Sequence, residues 1–210
     1  MPTLTQTSVV KINKDILNVN LTPYREYLSW NTAAEKWFVE ETQYKLLNFV
    51  AKQIALFPHI IETSPYIADL GTLYGASALA LGADNPHSYI RTYDIINHIP
   101  AGELSCKDLG NIAVVHADCL LHINEFTDAD LIHLDIDPHD GIQEQRLLDL
   151  LIRNDFKGLL ICDDIHLSAS MESFWDRINL KKFDITHLGH WSGTGIVVFN
   201  DKVLDVEIEK

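Results

Sequence analysis

From Tyr66 onward the chain breaks into short apolar runs separated by stretches of helix length, the texture that β-α-β units of a parallel sheet require. Strands are expected at 66–70, 89–94, 112–116, 131–135, 158–162, 182–187 and 195–199. Helices fit between them at 75–83, about 143–153 and 168–178, with a further one near 100–109. The last two strands leave no room for a helix, so they should pair as an antiparallel hairpin at the end of an otherwise parallel sheet. Upstream, Thr22-Pro23 offers a capping hydroxyl and a proline at the first helical position. Leu46, Leu47, Val50 and Ile54 then recur at helical spacing until Phe57-Pro58, so residues 23–57 should be helical. The expected organisation is one α/β domain over 1–210, with a mostly helical N-terminal extension over 1–65 and a doubly wound core of seven strands over 66–199. No internal repeat, low-complexity tract or linker divides it.

Thirty acidic against sixteen basic residues leave a formal charge of −14, which argues against a sequence-independent grip on phosphate, so nucleic acid is not an expected partner. A chain of this size buries roughly 70% of its unfolded surface and needs no disulfide or structural metal. Cys106, Cys119 and Cys162 are odd in number and form no C-x-x-C pair, which excludes a disulfide framework or zinc finger and suits a reducing cytosol. Lys11, Asn13, Lys14 and Asp15 interrupt the first twenty residues, so no signal-peptide core is present there. No apolar run reaches the ~18 residues of a membrane span. A cytoplasmic protein without a membrane partner is expected.

The segment from Asp69 through Gly71, Tyr74 and Gly75 to Ser77 lies where the first core strand turns into a helix, and glycines there let backbone approach a ligand closely. It is not a dinucleotide fingerprint, because an acid replaces the first glycine of G-x-G-x-x-G. An acid beside the loop repels a pyrophosphate and favours a cation such as an ammonium or a sulfonium, which points to S-adenosylmethionine. Asp94, ending the next strand, can accept both hydrogen bonds of a ribose diol, and Asp118, just past the third, can accept from an adenine amino group.

This run, D-x-G-x-x-x-G-x-S after a strand and then an acid ending the following strand, resembles the class I S-adenosylmethionine-dependent methyltransferases over about Tyr66 to Phe199. The resemblance implies a Rossmann-like, mostly parallel sheet ending in the hairpin. It also implies that Asp69, Gly71 and Gly75 hold the methionine end of the cofactor, Asp94 the ribose and Asp118 the adenine. Tyr74 and Ser77 carry over as further cofactor contacts.

Two apolar strands end in acids, one in Asp135-Ile136-Asp137-Pro138-His139-Asp140-Gly141 and the other in Asp163-Asp164. Carboxylates converging at one sheet edge repel one another unless a cation sits between them, and oxygen-only ligands select magnesium or manganese. The ordinary alternative is that Asp163 and Asp164 serve as caps and Asp140-Gly141 as a turn. D-x-D after one strand and D-D after the next is similar to the metal-dependent O-methyltransferases acting on sugars of macrolide and aminocoumarin antibiotics. That resemblance implies Asp135, Asp163 and Asp164 as metal ligands and Asp137 as general base. Pro138 stands where catechol-type enzymes carry a lysine base, and His139, one position on, is the second candidate.

His190 and Trp191, in the turn before the last strand, are candidates for an acceptor wall, while His133 and His166 suit packing or hydrogen bonds better than ligation. The expected acceptor is a hydroxyl of a sugar or glycan, with a phenol or other small hydroxyl compound as the alternative. Haloacid-dehalogenase-type phosphatases and D-x-D glycosyltransferases use the same letters, but the first place D-x-D early in the chain and neither explains the glycine turn. Methyltransferases of this kind can also stand as one module of a larger glycan-building protein.

Overall fold

The computed structural model describes residues 7–57 and 64–209. Its main sheet has seven strands: β2 (Tyr66–Leu70), β3 (Tyr89–Asp94), β4 (Ile112–His116), β5 (Leu131–Leu134), β6 (Leu159–Asp163), β7 (Lys181–Asp184) and β8 (Thr194–Val198), ordered β4-β3-β2-β5-β6-β8-β7. All neighbours run parallel except β8, which is antiparallel to both β6 and β7. The fold is thus α/β and Rossmann-like with the antiparallel hairpin expected from the short 187–194 spacer. Order reverses between β2 and β5, and a doubly wound sheet opens its ligand crevice at such a reversal.

Alternation along the strands fills two cores. Ile67, Ile90, Leu131, Leu159, Ile161 and Ile196 face the N-terminal helices and α3 (Ala76–Gly82). Ala68, Leu70, Ile132, Leu134, Leu160 and Val197 face α4 (Ile142–Arg153) and α5 (Ala169–Arg177). Burial on both faces explains why the central strands read as continuous apolar runs.

The N-terminal region departs from a single helix over 23–57. Thr22–Leu28 forms a 3-10 turn whose cap position is Leu21, so the Thr22 hydroxyl caps nothing there. Asn31 then starts α1 (Thr32–Glu40), its side chain accepting from the Ala34 amide at 3.1 Å. Extended backbone at Glu41 (φ −82°, ψ 135°) separates α1 from α2 (Thr42–Ile54). The helical pattern ends at Ile54, and Pro58 lies outside the described residues. Buried Asn48 on α2 donates to the carbonyls of Ala80 and Ala83 at 2.8 and 2.7 Å, tying the extension to the end of α3.

Three further expectations are corrected. The helix near 100–109 is only a 3-10 turn at Cys106–Leu109. The strand at 182–187 is shorter, because Asp184 accepts from the Thr186 amide at 3.0 Å and turns the chain into Thr186–Leu188. Two strands also stand outside the span 66–199: β1 (Ser8–Ile12) pairs in parallel with β9 (Leu204–Ile208), Ser8 opposite Leu204.

Candidate active site

A cavity of about 440 Å³ opens at the carboxyl ends of β2, β3, β4 and β5. At one end stand Asp94 and Asp118 with Ile95, Ile96, Ala117 and Leu120; at the other stand Asp135, Asp137, Pro138 and His139. Gly71 lines it between them. Its φ is +106°, and a Cβ there would lie 1.7 Å from the Asp135 carbonyl oxygen, so any side chain would push the glycine loop off β5.

Asp94 accepts from the amides of Leu73 and Ile96 at 2.8 and 2.9 Å, which fixes its carboxylate at the cavity wall with lone pairs to spare. Asp118 accepts from the Leu120 amide at 2.9 Å. Ile95 and Ile96, both more than half exposed, supply apolar surface directly after the β3 acid. That apolar pair is a sequence signal for a flat ring beside the ribose-binding acid and was not read as such. Gln143 and Arg146, from the first turns of α4, also line the cavity and carry no motif that would have marked them.

The other glycine-turn residues lie beneath the cavity, not in its lining. Asp69 is fully buried, accepting from Ser77 Oγ at 2.9 Å, Thr92 Oγ1 at 2.6 Å and His133 Nδ1 at 2.8 Å. Gly75 starts α3 with φ +85°, and Tyr74 packs edge-on against Trp30 and near His98. Asp69 therefore braces the loop from below through its hydrogen bonds.

The structure brings Asp135, Asp163 and Asp164 together. His133 pairs with Ile161 across β5 and β6, so the next residues on the same face, Asp135 and Asp163, are neighbours at the strand ends. Burial and the Asp163 carboxylate push the Asp135 carboxyl up to about 7. Gln43 of α2 donates to Asp163, and Thr194 Oγ1 lies 3.4 Å from its other oxygen. Asp164 accepts from Ser192; burial alone would raise its pKa, but hydrogen bonds from His190 and Ser192 hold it below the ordinary carboxylate range. Among the described residues, the basic side chains facing these acids are histidines. His139 lies 3.8 Å from Asp135 and 3.5 Å from Asp164. His190 lies 3.6 Å from Asp163 and 3.4 Å from Asp164. Burial alone would lower His190, yet its bonds to both acids lift it to about 10.

The donor set is therefore not oxygen-only: combinations of His133, His139 and His190 with the three acids each bring three ligand atoms within 4.8 Å of one another. Such spacing fits a cation, since two ligands on opposite sides of an ion at ~2.1 Å stand about 4 Å apart. His139 and Asp164 are also held at φ +54° and +59°, left-handed backbone that non-glycine residues adopt at some cost and often at functional sites. Asp137 stands apart at the cavity mouth, its side chain 92% exposed and 3.5 Å from His139 Nε2. Strand β5 ends at Leu134 and the chain turns at Asp137-Pro138, so Asp137 does not continue the strand's alternation. Trp191 is 79% exposed beside His190, leaving its ring free.

No protein-family model and no curated protein sequence matches the chain. Its fold is shared with solved methyltransferases. The O-methyltransferase TomG from Streptomyces achromogenes, involved in tomaymycin synthesis and solved with S-adenosylmethionine, is 17% identical with a TM-score of 0.56, over 82% of this chain and 89% of that one. A methyltransferase from Podospora anserina bound to S-adenosylhomocysteine (SAH) is 14% identical with a TM-score of 0.56, over 85% and 87%. An O-methyltransferase from Bacillus cereus, also bound to SAH, is 16% identical with a TM-score of 0.53, over 88% and 89%.

Proposed function

We propose that the protein is an S-adenosylmethionine-dependent, divalent-metal-dependent O-methyltransferase acting on a hydroxyl of a sugar or glycan. The observation that carries this is one cavity with Asp94 and Asp118 beside apolar Ile95 and Ile96 at one end and, at the other, Asp135, the acid through which the cavity meets the cluster of Asp163 and Asp164. Cofactor-bound methyltransferases of the same fold support the cofactor.

Asp135, Asp163 and Asp164 would hold the ion, which when bound lowers the pKa of an acceptor hydroxyl and fixes its direction. Asp94 orients the ribose and Gly71 lets the loop backbone come close to the methionine end. Asp137, open to solvent at the cavity mouth, takes the hydroxyl proton and releases it to water. His139 Nε2 lies 3.5 Å from that carboxylate. Trp191 offers a flat face to the acceptor. The sugar class rests on the D-x-D and D-D resemblance and on Pro138 in place of a catechol-type lysine; a phenolic acceptor fits the same metal chemistry. The net charge of −14 favours a neutral or basic acceptor over a phosphorylated one. Three buried free cysteines suit work in the cytoplasm, and no helix among the described residues is long and apolar enough to cross a membrane.

The test is calorimetry with S-adenosylmethionine in chelator, followed by methyl transfer to sugar and catechol panels with and without Mg²⁺ or Mn²⁺. Cofactor should bind without metal, and Asp94→Ala should weaken it by about 1.5 to 3 kcal/mol. Turnover should stop in chelator and return with the ion. No cofactor heat, or full turnover after exhaustive chelation, overturns the assignment.

A further inference from the structure

We propose that His133 is a buried nitrogen ligand to the ion held by Asp135 and Asp163, oriented by Asp69, and that the site therefore prefers a first-row transition ion over Mg²⁺. This rests on the metal-dependent reading above. His133 has no exposed surface, yet a ring nitrogen lies within 4.8 Å of carboxylate oxygens of both Asp135 and Asp163. Nδ1 is committed to Asp69 at 2.8 Å. Nε2 is buried and has no hydrogen-bond partner among the described residues.

An unpartnered nitrogen in a sheet core is hard to explain by packing, since a purely structural side chain here could be apolar. Its surroundings explain it instead. Asp69 accepts the Nδ1 proton, which leaves the lone pair on Nε2, and a carboxylate–histidine–metal relay uses this tautomer. Asp69 is itself held by Ser77 and Thr92, so it cannot follow the ring, and turning the ring breaks the buried bond between them. The relay also gives the glycine-turn acid a task other than touching the cofactor: it joins the cofactor loop to the metal centre. An imidazole donor shifts preference toward Mn²⁺, Fe²⁺, Co²⁺ or Zn²⁺, whereas Mg²⁺ prefers oxygen alone.

The full chain, stripped with chelator and labelled with ¹⁵N-histidine, is titrated with Zn²⁺ while bound metal is measured by elemental analysis. The His133 signal is recognised by an Nδ1 proton that burial against Asp69 protects from exchange, and by its loss in His133→Gln if that variant folds. Its Nε2 resonance should move as one equivalent of Zn²⁺ binds, and excess Mg²⁺ should not restore it. Asp69→Asn should weaken Zn²⁺ binding by about 10- to 100-fold. Bound Zn²⁺ with an unmoved Nε2 resonance overturns the ligand assignment and leaves the metal-dependent reading standing. No bound ion at all overturns both.

Discussion

At Asp137 a side chain 92% open to water competes for the role of base with His139, whose ring faces Asp135 and Asp164. The difference in position decides the expectation: a group facing two metal ligands is poorly free to carry protons, while the exposed carboxylate exchanges with solvent at once. Asp137→Asn should lower turnover by about 10² to 10⁴ while cofactor and metal still bind. A normal rate in Asp137→Asn with collapse in His139→Ala, measured under saturating cofactor, would exchange their roles. The acids themselves were legible because each ends an apolar run, and strand ends of an α/β sheet point to the crevice. The histidines were named in other roles, His139 as a second base, His190 as an acceptor wall and His133 in packing; that all three face the acids was not legible, since a lone histidine gives no hint of what folds against it. Gln43 was equally hidden, because its partner Asp163 is 120 residues away.

Among the elements, the core strands other than β7 were readable to within a residue from apolar runs of the right length. Strands β1 and β9 were missed although Leu204-Asp205-Val206-Glu207-Ile208 alternates as a half-buried strand does, because they stand outside the β-α-β rhythm and no helix-length spacer frames them. Leu204 is nonetheless 2% exposed, and Leu204→Ala should cost about 2 to 5 kcal/mol in urea unfolding. A change below 0.5 kcal/mol would mean that the ribbon is detached from the core. The N-terminal helices are fastened at Asp84, which takes hydrogen bonds from Tyr24 and from Lys52 at 3.2 Å. The Tyr24 bond, foremost, holds the Asp84 carboxyl below its usual 3.8. A depressed folded-state pKa adds stability that is present above about 3.8 and lost as pH falls through the lower folded value. Asp84→Asn should therefore be less stable than the parent at neutral pH, with the gap closing below pH 3.8 in acid-unfolding curves. A gap constant with pH would remove Asp84 from that account.

For the molecule as a whole, a charge of −14 with several acids gathered at one sheet edge makes the ion-free state self-repelling. A divalent ion at a hundred times its Kd should raise Tm by roughly 5–10 °C. Sodium chloride at equal ionic strength should give a clearly smaller rise; an equal one would mean general screening with no bound ion. The clasp between β1 and β9 acts at the same scale, over a sequence separation of 196 residues between Asn13 and Glu209. During synthesis β1 is made before the seven strands of the main sheet and its partner β9 after them. All seven strands of the main sheet are made before β9, so β1 waits with an open edge until residues 204–208 follow. Closure of that latch is a late, non-local step, and a chaperone that shields a bare strand would have its longest window there.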